Sequence, residues 1–195
     1  MKPANGLRSD EWTVRTCALR DAILLVREHH YAKGAANTAV YRHGLYRRPV
    51  RALDQPMGAA VWIPPTKSAA IATCTDGEDW RGVLALSRLV VHPDCPTNSA
   101  SFLMAASMRL VDRDRWPVLV TYADTRMGHT GAIYRATNWH EVGSVPAGDV
   151  WVDGDGVQRG RKRGGRTMTR DEMAAAGFTQ CEAAPKVKFV HRAAS

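Results

Sequence analysis

The segment between Trp116 and Trp139 limits the fold of this chain most. The run Trp116-Pro117-Val118-Leu119-Val120-Thr121-Tyr122 is short, rich in β-branched residues and marked by a proline near its start, the pattern of a buried strand. Ala123-Asp124 closes it, and Gly128-His129-Thr130-Gly131 then opens a helix through Ile133, Tyr134 and Ala136. A strand that stops at an aspartate and turns at once into a helix is an α/β crossing unit. Such folds place ligands beyond the carboxyl ends of their strands, where the Asp124 carboxylate would point.

The rest of the chain extends that reading. Apolar residues at Val14, Cys17, Leu19, Ile23, Leu24 and Val26 predict one amphipathic helix over Thr13–Tyr31, ending in His29-His30-Tyr31 with Gly34 as its C-cap. Thr38–Tyr46 and Met57–Ile63 read as an antiparallel hairpin, Val83–His92 as a strand and Asn98–Val111 as a helix. A last strand is expected over Glu141–Val145. The positions from about 154 to 170 hold Arg159, Arg161, Lys162, Arg163, Arg166 and Arg170 interleaved with glycine, which predicts a mobile basic loop. Pro185–His191 alternates basic and apolar residues, like a half-exposed edge strand. With no repeat and no evident linker, one domain over residues 1–195 is expected, of mixed α/β class.

A net charge of +8 and a pI near 9.7 make polyanions the natural partners, nucleic acid first and an acidic membrane face second. Residues 1–12 lack the apolar core of an export signal, and no apolar run reaches the roughly 18 residues that span a bilayer. The expectation is a soluble, intracellular protein without a membrane partner. Cys17, Cys74, Cys95 and Cys181 form no CxxC pair, which argues for reduced thiols over a zinc ribbon.

An N-terminal helix and hairpin followed by β-α-β-α-β, with Asp124 at the end of a central strand, resembles the GNAT acyltransferase fold. The segments His29-His30-Tyr31-Ala32, Ser87-Arg88-Leu89-Val90-Val91, Tyr122-Ala123-Asp124-Thr125 with Gly128-His129, Tyr134–Trp139 and Pro185-Lys186-Val187-Lys188 narrow the likeness further. Together they resemble the Mom family of phage DNA-modification proteins. That resemblance implies an enzyme that places a carbamoylmethyl (acetamido) group on N6 of adenine in double-stranded DNA. It would act in the cytoplasm of the infected bacterial host and shield phage DNA from restriction. The family's function would map onto His30, Tyr31 and Asp124 as catalytic residues, and the same three would hold iron. A plain acetyl-CoA-dependent N-acetyltransferase for an amine or peptide, and a non-catalytic basic DNA-binding protein, are the alternatives. A homodimer is left open.

In GNAT enzymes a Gln/Arg-x-x-Gly-x-Gly/Ala turn holds the CoA pyrophosphate, but here that place reads His92-Pro93-Asp94-Cys95-Pro96-Thr97-Asn98-Ser99-Ala100-Ser101. The glycines are absent, which weighs against ordinary acetyl-CoA binding, although Ser99 and Ser101 offer donors at a helix N-terminus. Ser87 and Arg88 lie on the strand that would hold the acyl donor. Arg88, set among apolar residues, needs an anionic partner, either ligand phosphate or a protein acid. Tyr134 stands where a GNAT tyrosine often protonates the leaving group, or else is a core aromatic. His129 either caps the helix or meets substrate.

Asp124 has three readings: a turn cap, a metal ligand, or an acceptor for the N6 proton of a weakly nucleophilic amine. Arg159, Arg161, Lys162, Arg163 and Arg166, continued by Lys186, Lys188 and Arg192, form the expected phosphate track. Trp80, Trp139 and Trp151 are the candidate stacking surfaces.

Overall fold

The computed structural model describes residues 6–31, 33, 38–146, 149–181 and 184–193. In chain order the elements are β1 (Trp12–Thr16), α1 (Leu19–His29), β2 (Tyr41–Arg47), β3 (Gly58–Ile63), α2 (Lys67–Ile71), β4 (Val83–Val91), α3 (Ser99–Leu110), β5 (Val118–Asp124) and α4 (Ala132–Arg135). Then follow β6 (His140–Val145), β7 (Val150–Val152), β8 (Gln158–Arg159), β9 (Lys162–Arg163), β10 (Arg166–Thr167), α5 (Arg170–Ala175), β11 (Thr179–Cys181) and β12 (Lys186–Arg192). Seven strands form the main sheet in the order β1-β2-β3-β4-β5-β12-β6, antiparallel except for the parallel pair β4–β5. The strands β11-β7-β8 form a small second sheet, and β9–β10 a two-stranded ladder.

Strand alternation builds three layers. Ala60, Trp62, Leu84, Leu86, Leu119, Ala123 and Phe189 point to one face, where they pack with Leu103 and Met104 of α3. The intervening Ala59 and Val61 meet Ala22, Leu25 and Val26 of α1, while Val83, Val118, Val120 and Val190 pack with Ala70 of α2. Because both faces are covered, the central strands read as continuous apolar runs.

One buried polar cluster stitches α3 to the sheet. The Ser107 hydroxyl oxygen accepts from Trp62 Nε1 at 2.7 Å and lies 2.7 Å from His43 Nδ1. An indole N–H only donates, so the Ser107 oxygen accepts from Trp62 and keeps its proton and second lone pair for His43 Nδ1. Burial, helped by Arg42, lowers the His43 pKa to about 4. The unfolded chain protonates this group near 6.5, so between these values the unfolded state binds the extra proton and stability falls as pH drops. Denaturant titrations are expected to show a loss on the order of 2–3 kcal/mol from His43 between about pH 7 and pH 4. Ser107→Ala should cost about 2 kcal/mol at neutral pH, since it leaves both ring nitrogens without their partner. A flat stability profile across this window would contradict the lowered His43 pKa.

The structure departs from the sequence expectations in three places. Thr13–Thr16 belongs to strand β1, paired with β2, and helix α1 starts only at Leu19. Its β-branched Thr-Val-Arg-Thr run prefers extended backbone, and the helical spacing of Val14 and Cys17 was accidental. Helix α1 ends at His29, with His30 extended at φ −102° and ψ 136°; the expected cap, Gly34, lies outside the described residues. Pro185–His191 does not form an edge: β12 is inserted between β5 and β6, with Lys188, Phe189 and Val190 buried.

The basic segment, third, is structured rather than a free loop. It contains β8, β9 and β10, and four of its arginines are ion-paired: Arg159 with Asp153, Arg161 and Arg170 with Asp149, Arg166 with Glu172. Burial pushes the Cys17 and Cys95 thiols up to about 11, and all four cysteines are free. No helix among the described residues is long and apolar enough to cross a membrane.

Candidate active site

The parallel ladder between β4 and β5 runs only from Val83–Val118 to Ala85–Val120. Beyond it the two strands diverge, so β4 from Leu86 onward turns its backbone toward a gap instead of a neighbour. A bulge in the β3–β4 pairing falls at Ser87, between the Val61–Arg88 and Trp62–Leu86 partners, and adds to the local twist there. A cavity of about 380 Å³ occupies the gap. Leu86, Ser87 and Leu89 of β4 line it, with Thr121 and Tyr122 of β5, His30 and Tyr31 beyond α1, and the Gly128–Tyr134 stretch.

The turn between β5 and α4 is held tightly. Asp124 Oδ1 accepts from Arg126 N at 3.2 Å, capping the short turn Thr125–Met127, and Gly128 and Gly131 take positive φ values of 72° and 78°. At Gly131 a side chain has no room, since a Cβ would sit 2.3 Å from Phe189 Cζ. Arg135 Nη1 donates to Thr130 O at 2.8 Å and closes the loop from the helix side. The exposed His129 is thereby presented beside Tyr31, with ring centres 5.5 Å apart.

Histidine and tyrosine meet at the opposite wall, where His30 stacks on Tyr31 with centroids at 4.4 Å. Burial first, then the positive charge of Arg88, lowers the His30 pKa to about 4, so its imidazole is neutral at physiological pH. Burial, and then the Asp124 charge, raises the Tyr31 pKa; burial raises that of Tyr134 against the opposing Thr121 hydroxyl. Both phenols therefore keep their protons. Arg88 is half-buried, donates to its neighbour's Ser87 O at 2.7 Å, and has its pKa lowered by burial. The cavity offers a neutral imidazole and two phenolic donors, and the Arg88 charge acts on His30 and Tyr31 without Arg88 bordering the cavity.

His30, Tyr31, Ser87 and Tyr134 all border this cavity, but Asp124 does not. It is 4% exposed behind the lining, its Oδ2 3.5 Å from Lys186 Nζ. Of the expected iron set, His30 and Tyr31 border the cavity while Asp124 lies behind its lining, held by Arg126 N and facing Lys186. Among the described residues no three His, Cys, Asp or Glu side chains converge on a metal position.

Ser99 and Ser101 line a second concavity of about 590 Å³, which shares Val91, Ala100, Ala132 and Ile133 with the first. Their hydroxyls donate to Pro96 O and Asn98 O, so only lone pairs and backbone groups remain for a ligand there. Asn98, with φ 69°, makes the tight entry into α3 that a glycine makes elsewhere.

The expected DNA contacts are redistributed. Lys188 is buried and gives its ammonium to Ala72 O at 2.7 Å, and Arg192 pairs with Glu78. Lys186 faces Asp124, Arg163 lies over the Phe178 ring at 5.2 Å, and Lys162 is exposed. Trp139 and Trp151 are both 3% exposed and belong to the core, while half-buried Trp80 carries Lys67 and Arg81 over its ring. Sequence reasoning missed Thr121 and Tyr122 in the cavity wall, and Arg126, whose guanidinium reaches Gln158 of β8 at 3.2 Å. A threonine and tyrosine closing an otherwise aliphatic strand were the available signal.

Solved structures with the same sheet are acetyltransferases. An agmatine N-acetyltransferase variant in its apo form superposes with a TM-score of 0.54 at 10% identity, over 94% of this chain and 100% of that one. The yncA acetyltransferase from Salmonella typhimurium, with its cofactor acetyl-CoA, gives 0.52 at 9% identity over 93% of each chain. An aminoglycoside acetyltransferase in complex with coenzyme A gives 0.52 at 15% identity, over 93% of this chain and 94% of its own. The fold is that of the GNAT acetyltransferases. In sequence, the chain is 26% identical over 183 residues to the methylcarbamoylase mom of Escherichia phage Mu, covering 87% of this chain and 72% of that protein. The model of the Mom protein family matches residues 11–176, a span that takes in the diverging strands, the cavity and the turn after Asp124. This chain is therefore a transferase that belongs to the Mom protein family.

Proposed function

We propose that the protein modifies the N6 amine of adenine in DNA, adding a carbamoylmethyl group within the cavity between β4 and β5, in the cytoplasm of an infected bacterial host. The observation that carries this reading is the family match extending over every wall of that cavity. An adenine inside a duplex cannot reach such a gap, so the target base would be rotated out of the stack. In the cavity the neutral His30 nitrogen suits the role of acceptor for an N6–H, and the protonated Tyr31 and Tyr134 hydroxyls can donate to ring nitrogens or to the group donor. Formation of the new N–C bond releases one proton from N6. His30 suits the role of receiving it, while the Asp124 charge acts on Tyr31 and faces Lys186.

In this reading the donor carries the CH2–CONH2 group on a leaving group: the N6 lone pair forms the N–CH2 bond as the bond from that carbon to the leaving group breaks with its electrons, whereas acyl transfer from a thioester would give an N6-acyl product. A CoA-type carrier would lie along the cavity face of β4 near Ser87, with its phosphates extending into the concavity of Ser99 and Ser101. When bound, the donor supplies an activated carbon; the chain's residues orient it and exclude water. DNA protected in this way would resist host restriction enzymes that contact the adenine.

Nucleoside mass spectrometry of DNA from bacteria expressing the protein is the direct test. A fraction of deoxyadenosine should carry the added group, and its mass separates carbamoylmethyl from acetyl. Unaltered nucleosides from cells with abundant folded protein would overturn the reading.

A further inference from the structure

Most of the arginines in the 159–170 segment are paired with acids, so cations without a carboxylate partner must be sought elsewhere. Two such cations lie together on the turn between β2 and β3. Arg47 and Arg51 are exposed, and their guanidinium groups have no ion pair or hydrogen bond among the described residues. The turn itself is well held: Arg51 N donates to Asp54 Oδ2 at 2.7 Å, and Arg48 Nε to Trp12 O at 3.1 Å. At its tip Leu53 is 91% exposed, against 52% for the next most exposed large apolar residue, Ile71.

Topology puts this turn beside the cavity. Gly58 of β3 pairs with Val91 of β4, so the turn stands at the carboxyl end of β4, where β4 and β5 part. Across the sheet the midline of β2 and β3 lies two strand spacings, roughly 10 Å, from the gap, and along β4 the five residues from Leu86 to Val91 add roughly 17 Å. Those offsets fall within the length of a short duplex, whose bases are stacked about 3.4 Å apart, so one duplex can engage both.

We propose that the Arg47–Asp54 turn is the duplex-gripping element of the enzyme, Arg47 and Arg51 binding backbone phosphates while Leu53 enters the stack beside the rotated adenine. The inference rests on the adenine-modifying reading and names how the duplex is held for it. An exposed leucine gains nothing in water, but inserted between base pairs it fills the space that the extruded base leaves. Two guanidinium groups with no protein acid to satisfy are suited to phosphate oxygens, and they fix the protein on the duplex without reading sequence.

The test uses the full chain and a fluorescein-labelled duplex of mixed sequence, titrated by anisotropy over a range of salt, together with nucleoside analysis of DNA from expressing cells. The double variant R47Q/R51Q should reduce the magnitude of the log K against log salt slope by about 1.8, two contacts at about 0.9 each. Leu53→Ser should keep the wild-type slope yet lower modified deoxyadenosine by about 10-fold, and Leu53→Met, which still fills the stack, should restore it. Thermal melts check that each variant is folded, as expected for exposed positions. An unchanged slope in R47Q/R51Q overturns the phosphate assignment, and wild-type modification by Leu53→Ser overturns the wedge. A wild-type protein that binds duplex with a slope sensitive to Arg47 and Arg51, but modifies no adenine, overturns the proposed reaction and leaves the grip standing.

Discussion

Asp124→Asn is expected to lower the level of modified deoxyadenosine by about 100-fold or more while leaving the protein folded. Asparagine is nearly isosteric and caps as well as aspartate does, so the bond from Arg126 N survives and the turn Thr125–Met127 keeps its shape. What disappears is the charge that faces Lys186 and raises the Tyr31 pKa. Nucleoside analysis at matched protein levels measures the effect, and the thermal midpoint reports the fold. An Asp124→Asn protein with wild-type activity would show that the residue acts only as a cap, the bland reading of an aspartate at a strand end.

Gly131→Ala carries the largest expected cost in stability. Its Cβ would meet Phe189 Cζ at 2.3 Å, and its φ of 78° is one that L side chains rarely adopt. Phe189 is wholly buried against Tyr134, so the ring has little room to move away. Overpacking and backbone strain together should cost about 3 kcal/mol, which for a domain of this size lowers the melting midpoint by roughly 6–12 °C. Pairing it with Phe189→Leu separates the two contributions. The double variant should recover part of the loss, because leucine frees space at the clash while the positive φ stays. If Gly131→Ala melts with the wild type, the turn is not held as described.

The same glycine shows how far local sequence reaches. Gly128 and Gly131 bracket a strand-to-helix turn and are legible as such, because a turn of this kind needs positive φ and glycine supplies it without steric cost. That Gly131 must also be free of a Cβ, for a ring on β12 nearly sixty residues away in sequence, is knowable only once β12 is paired with β5.

Local pattern determined the strand that ends at Asp124, the helix after Asn98 and the hairpin of β2 and β3, whereas His30, Tyr31, Ser87 and Tyr134 were singled out by the family resemblance and not by periodicity. For the strand, the helix and the hairpin, apolar period and turn chemistry are properties of a few neighbouring residues. Tertiary structure alone decided the order of the strands. It turned Lys188 from a surface cation into a buried donor to Ala72 O, took Trp139 and Trp151 into the core, and drew the loop arginines onto Asp149, Asp153 and Glu172. It also drew Asp124 behind the cavity wall onto Lys186, and left Arg47, Arg51 and Leu53 facing solvent at the same end of the sheet. The physical reason is that burial and charge pairing depend on which segments meet in space, and a strand with apolar and basic residues in alternation reads the same at a sheet's edge as between two neighbours.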